Sequence, residues 1–270
     1  MTQRRLKIRH STCYDFPHGV QGGLQQLRKT PKTGHGQTVL SWQTHVTGGT
    51  KHCSFDDHHR NRVELLGIDR DTRTLIVTSE GEVQIADTTG ILGQHLGPAP
   101  LWLYTRNTAA TQPGPGIRKL ARQINGTDNL MRLHDLSALV REVVRYRLGS
   151  SGPDWTAEEA LNSGQGVCQD QTHVFVATAR EMGHPARYVS GYLMLNDTIE
   201  QDAMHAWAEA HVDGLGWVGF DVSNGISPDT RYVRVATGLD YSEAAPVTGL
   251  RNGGDGETLA VDIEVAEQVQ

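Results

Sequence analysis

The chain has 270 residues, 37% of them hydrophobic and 21% charged, with a formal net charge of −6. That length supports one large core or two modest ones, and the acidic balance offers no electrostatic footprint for nucleic acid or an anionic membrane. Three cysteines, Cys13, Cys53 and Cys168, form an odd set without regular spacing, which argues against a disulfide framework and for a reducing cytoplasm.

The basic N-terminal stretch through His10 has no apolar run behind it, so no secretory signal is expected, and no segment reads as a membrane span. From there to about residue 95 the pattern is β-like. Runs at Arg5–His10, Gln37–Val46, Arg62–Gly67, Thr74–Ser79 and Glu82–Asp87 alternate with polar punctuation. Asp56-Asp57-His58-His59-Arg60-Asn61 reads as one turn and Thr78-Ser79-Glu80-Gly81 as another. A small antiparallel β domain over 1–95 is the expectation.

Pro98, Pro100, Pro113 and Pro115 mark 96–115 as a connector, which leaves 116–270 as a second unit. Leu136, Leu139, Val140, Val143 and Val144 recur at helical spacing and predict a helix over roughly 129–148, ended by Gly149. Thr156-Ala157-Glu158-Glu159 matches a capping box and predicts a short helix. After Gly183 the period changes to two, and strands are expected at Ala186–Leu195, Ala203–Val212, Leu215–Ser223, Tyr232–Ala236 and Glu257–Val265. Gly253–Gly256 then reads as a hairpin connection, since no strand–turn–helix context makes it a phosphate loop.

The chemistry concentrates at Gly164-Gln165-Gly166-Val167-Cys168-Gln169-Asp170, followed by a helical stretch from Gln171 to Met182. Cys168 therefore sits in the first turn of a helix, where backbone N–H groups and the helix dipole favour a thiolate. Val174 to Ala179 is apolar almost all round, which buries the helix and fixes the thiol at its end. Cys13 and Cys53 lack such a setting: Cys13 falls in a first strand and Cys53 in a loop.

His205 opens an alternating segment that puts Trp207, Glu209 and His211 on its own face and Ala206, Ala208, Ala210 and Val212 on the other. The small face suits packing on the cysteine helix, and the large polar face suits a cleft. His211 and His173 are rival bases, one too near the turn and the other directed away from Cys168. Asp221 lies 16 positions after His205 and shares its face only if the hairpin loop has an odd number of residues. A loop Val212-Asp213-Gly214 would set the two directly opposite, with Gly214 in the left-handed conformation. A loop Asp213–Gly216 would separate them.

A thiol, an imidazole and a carboxylate in these settings make an activated nucleophile with its base and orienter. The backbone N–H of Cys168 is the first oxyanion donor, with Gln165, Trp155 or Gln169 as candidates for the second. Tyr192, Trp207, Trp217 and Gln169 are candidates for the substrate cleft, although aromatic side chains equally fill cores. No cofactor is called for. His58-His59 beside Asp56-Asp57 reads as an exposed polar turn rather than a metal site, and no zinc spacing occurs.

The segment Gly166–Asp221 resembles the transglutaminase-like superfamily, whose core carries Cys on a helix and His and Asp on two following strands. The similarity continues more loosely through Tyr232–Val265, and residues 1–95 are similar to the region that precedes this core in bacterial members. The resemblance implies an α+β chain: an N-terminal antiparallel β domain, then a papain-like/transglutaminase-like core with the Cys helix packed on an antiparallel sheet. It implies Cys168, His205 and Asp221 as a triad acting through a thioester on a peptide, protein or small amide. In the family's Cys-Arg-Asp pattern Asp170 matches, while Gln169 departs from the basic residue. Pro185–Tyr192 also looks familial, and no calcium ligand set is seen. Hydrolysis is the leading expectation, with amine transfer alongside it. An arylamine acetyltransferase also uses Cys-His-Asp, but its Arg-Gly-Gly-x-Cys approach is absent here. An inactive interaction module is the third reading, and the oligomeric state is left open.

Overall fold

A computed structural model describes residues 2–152 and 154–268. The first strand, β1 (Gln3–Thr30), is far longer than the run Arg5–His10 that sequence marks. It bends near Gly19, which takes φ 69°, a conformation glycine adopts at little steric cost. Around it assemble β2 (Gln37–Thr47), β3 (Gly49–Asp56), β4 (Arg62–Ile68) and β5 (Thr72–Ala86). The first half of β1 pairs with β5, and the second half with β4. Alternate residues of β1, such as Leu6 and Ile8, point into the core.

Two details differ from the sequence expectation. Thr78–Gly81 is no turn but the middle of β5. A Cβ on Gly81 would meet Ser41 O at 2.1 Å, so glycine there marks a close approach of β2 rather than a reversal. Cys53 lies in β3, not in a loop.

The second sheet is antiparallel in the order β13 (Tyr232–Gly238), β9 (Ala186–Leu193), β11 (His205–Val212), β12 (Gly216–Phe220), β6 (Ile91–Gly93). A 3₁₀ turn at Leu101–Thr105 and α1 (Pro115–Gln123) follow β6. Then come α2 (Asn129–Val143), a parallel pair β7 (Arg145–Tyr146) and β8 (Gln165–Gly166), and α3 (Ala157–Ser163) between them. The expected helix over 129–148 thus stops at Val143. Val144 still packs in the core, but the chain has already turned extended to pair with β8, so Gly149 ends nothing. Thr156 and Glu159 form the expected capping box at the start of α3.

Helix α4 (Cys168–Glu181) is buried between this sheet and α1–α3. Val174, Phe175 and Ala177 pack against Ala208, Ala210 and Phe220, as the small-residue face of β11 predicts. Arg180, itself buried, anchors the far end of α4 through the carbonyls of Tyr104, Ala186 and Leu239.

The strand pairing cuts across the division at 95 and 116. β14 (Val247–Gly253) and β15 (Thr258–Glu267) leave the second sheet and pair with β1, while a short strand, β10 (Glu200–Gln201), extends β15. In the other direction β6 joins the second sheet through β12. The catalytic unit expected over 116–270 therefore lends its last two strands to the first sheet. Among the described residues no helix is long and apolar enough to cross a membrane.

Candidate active site

The pair β7–β8 delivers the chain to the thiol. Tyr146 pairs with Gly166, and a Cβ on Gly166 would meet the Asp170 Cβ at 2.6 Å. Glycine is needed because Asp170 folds back over it. The Asp170 carboxylate accepts from Val167 N–H at 2.7 Å and Ser151 Oγ at 2.6 Å, closing the entry to α4. Cys168 is the first helical residue and half-buried. Its N–H is among the leading donors of the helix, which have no carbonyl one turn earlier to bond.

His205 begins β11 and Asp221 follows β12. Their register corrects the expected loop. Val212 pairs with Gly216, so the loop is Asp213-Gly214-Leu215. It has three residues, one position later than Val212-Asp213-Gly214, because Val212 is a core residue and stays in the strand. Gly214 is left-handed at φ 83°. With this offset Asp221 falls across from Trp207 rather than His205, but the odd loop keeps the same face. His205 Nε2 and Asp221 Oδ2 are 2.6 Å apart.

Asp221 is fully buried and well supplied with donors. Tyr232 Oη donates to Oδ2 at 2.7 Å, as does Asn224 Nδ2 at 2.7 Å, and Asn224 N–H reaches Oδ1 at 3.2 Å. Burial alone would raise its pKa, but the bonds from His205, Asn224 and Tyr232 outweigh it and hold the carboxyl below its ordinary value. For His205, burial opposes the charge. The Asp221 bond and a hydrogen bond with Cys168 prevail, pushing the imidazole up to about 10. Since Asp221 occupies Nε2, the thiol is left Nδ1.

Other expected residues are distributed differently. Gln165 accepts from Arg147 Nη1 at 3.1 Å through its amide oxygen, which leaves its NH₂ as the donating end. Trp155 packs against the helical core. Gln169 stands half-buried beside Cys168. Trp207 is buried next to the imidazole, ring centroids 6.2 Å apart, and edge-on to Tyr232. Tyr192 lines no cleft: it is buried between the two sheets, 3.1 Å from His10 Nδ1. Burial holds the His173 pKa down at about 4, and its ring accepts from Tyr241 N–H. His211 sits at the opposite end of β11 against Trp217.

His59 is buried, contrary to the exposed turn expected. His58, His59 and Glu243 offer ligand atoms within 4.8 Å of one another. Both ring nitrogens of His59 are engaged, with Tyr104 Oη at 3.1 Å and Glu243 Oε2 at 2.8 Å, so this cluster works as a hydrogen-bonded tie.

Sequence reasoning missed Tyr232, Asn224 and Tyr146. Asn224, three residues after Asp221, has the local signature of a side chain closing an Asx-type turn. Tyr232 carries no such signal, because its partner is met only through strand pairing. Tyr146 is half-exposed and responds to the charge on Cys168 after the larger effect of burial, which together raise its pKa. It was hidden inside the helix expected over 129–148.

Comparison with known proteins locates this arrangement. Residues 118–222 match the transglutaminase-like superfamily, and residues 6–84 match the bacterial transglutaminase-like N-terminal region. An uncharacterized protein of Mycobacterium leprae is 26% identical over 276 residues, covering 97% of this chain and 98% of its own. A counterpart in Mycobacterium tuberculosis is 26% identical over 299 residues, covering 97% and 91%. In three dimensions the chain is similar to the crystal structure of "a Putative Cysteine Protease from Cytophaga hutchinsonii". The TM-score is 0.81 at 20% identity, over 100% of this chain and 92% of that one, which establishes a shared fold.

Proposed function

The chain belongs to the transglutaminase-like superfamily, and we propose that within it the protein is a cysteine hydrolase of peptide or amide bonds. The observation that carries this reading is one imidazole hydrogen-bonded to the buried Asp221 at 2.6 Å, with Cys168 at a helix start near enough to help raise its pKa.

The residues divide the work as follows. Asp221 fixes the His205 ring, with Nε2–H toward the carboxylate and Nδ1 toward sulfur. With the helix N-terminus behind the sulfur and His205 Nδ1 beside it, Cys168 gives its proton to the imidazole as it becomes the nucleophile. The thiolate attacks the substrate carbonyl carbon, and the carbonyl electron pair moves onto oxygen. The Cys168 N–H faces that charge, and Gln165 remains the side-chain candidate for a second donor. His205 gives its proton to the departing amine as the C–N bond breaks, leaving a thioester. It then takes a proton from water, whose oxygen attacks the thioester, and returns the proton to sulfur as the carboxylic acid leaves. Three thiols free of disulfides support a reducing compartment such as the cytoplasm.

Iodoacetamide labelling near neutral pH, read by peptide mass spectrometry, tests the activated thiol. Cys168 should label ahead of Cys13 and Cys53, and His205→Ala should abolish that preference. Equal labelling of all three cysteines would remove the basis of the proposal. Intact-mass trapping of an acyl adduct from a peptide mixture then reports half of the substrate.

A further inference from the structure

Strand β11 carries a second constellation at its other end. Glu209 lies four residues beyond His205, about 13 Å at the rise of an extended strand. Its fully buried carboxylate holds two guanidiniums. Arg187 Nε is 2.6 Å from Oε2, and Arg234 Nε is 2.7 Å from Oε1. These side chains, with Trp207, Trp217 and Tyr232, line a cleft of about 660 Å³ that segment 30–37 also borders. Lys32 enters from that segment. Among the described residues its ammonium donates only to neutral oxygens, His59 O at 2.7 Å and Thr237 Oγ1 at 2.8 Å.

The charges around this floor do not balance. Arg187, Arg234 and Lys32 surround the Glu209 carboxylate, and Asp57, which also acts on Lys32, has its own partner in Arg28 at 3.7 Å. The other acidic residues on the lining, Asp56 and Asp229, have their own arginines, Arg62 at 3.4 Å and Arg231 at 2.7 Å. The Arg187 guanidinium also lies over Trp217, 3.7 Å from the ring centroid, which orients it without neutralising it.

We propose that this cleft binds a small molecule bearing a carboxylate or phosphate, the oxyanion held by Arg234, Arg187 and Lys32 and the body resting against Trp207. Guanidinium forks match the geometry of both oxyanions, and the burial of the cluster limits screening by salt. Lys32 registers the surplus: burial first, then the charges of Arg234 and Arg187, push its pKa well below the ordinary value. An arriving anion relieves that repulsion. The proposal stands apart from the thiol chemistry, since Trp207 and Tyr232 wall the cleft from the triad and binding needs no turnover.

The test is calorimetric titration of the full chain at pH 7 and low salt with inorganic phosphate and, separately, with citrate. At least one anion should bind with one-to-one stoichiometry. Arg234→Gln and Lys32→Gln, each checked for folding by circular dichroism, should each weaken it about tenfold or more, as expected for losing a charge-assisted contact. Preference for phosphate or citrate then identifies the oxyanion. Tryptophan emission of the unmodified protein should change on titration, which gives a second readout should a variant fail to fold. No heat and no emission change with either anion would overturn the proposal, as would folded variants that bind like the parent.

Discussion

Tyr232 and His205 share a single acceptor atom, Asp221 Oδ2, at 2.7 and 2.6 Å. The tyrosine comes from β13 and the histidine from β11, two strands that do not pair with each other. The carboxylate is thus oriented from two directions.

Tyr232→Phe should keep the fold and weaken the triad. A hydrogen bond to a charged group contributes about 1.5–3 kcal/mol, so kcat/KM should drop about tenfold or more. With one donor gone, the Asp221 pKa rises toward its ordinary value. Its depressed pKa supplies stability above the unfolded value, lost as pH falls through the folded one. The acid limb of the rate profile and the onset of acid unfolding should therefore both move to higher pH.

Asp221→Asn acts on the other limb. His205 is raised from 6.5 to about 10, so its charge contributes stability that is fully present below 6.5 and lost as pH rises through about 10. Without the carboxylate the imidazole pKa falls, and loss of the charged form should begin at lower pH. Alkylation of Cys168 at pH 7 should slow while alkylation at pH 10 changes little. Turnover should fall on the order of 10³- to 10⁴-fold. An unchanged alkylation profile would mean that Asp221 does not hold the ring's proton.

Gly166→Ala places a methyl group 2.6 Å from the Asp170 Cβ, so the first turn of α4 must shift. Overpacking of this kind costs about 1–3 kcal/mol. Thermal unfolding should report the loss, and selective labelling of Cys168 should fall with it. Gly183→Ala is a poor control, since its φ of 89° is strained for any side chain.

Glu209→Ala leaves the buried Arg187 and the partly buried Arg234 without their carboxylate. Breaking a buried ion pair from one side costs about 3–5 kcal/mol. Urea unfolding should show a loss of stability of that order, larger than for removal of an exposed partner such as Glu264.

The candidate site was legible because Cys168, His205 and Asp221 each carry a local signal: a glycine approach and helix start for Cys168, strand alternation for His205, loop parity for Asp221. Parity survived even though the loop itself lay one residue later. What sequence could not show are relationships made between distant segments. The pairing of β14 and β15 with β1 has no local signature, and neither does the meeting of Tyr232 with Asp221. Tyr192, aromatic and near the motif, looked suited to a cleft, yet the approach of the first sheet buried it. Arg187, inside the familial-looking segment Pro185–Tyr192, proved to be half of a charged cluster whose other arginine is 47 residues away on β13.

The length of β1 has a consequence for biosynthesis. Leu6 pairs with Glu267, and Leu27 with Val247, so the strand that leaves the ribosome early waits for partners translated after Cys168 and His205. Until then its backbone on that side is an open edge, the kind of surface that recruits strays or chaperones. The thiol can take shape in a nascent polypeptide only while the sheet beside it is still incomplete.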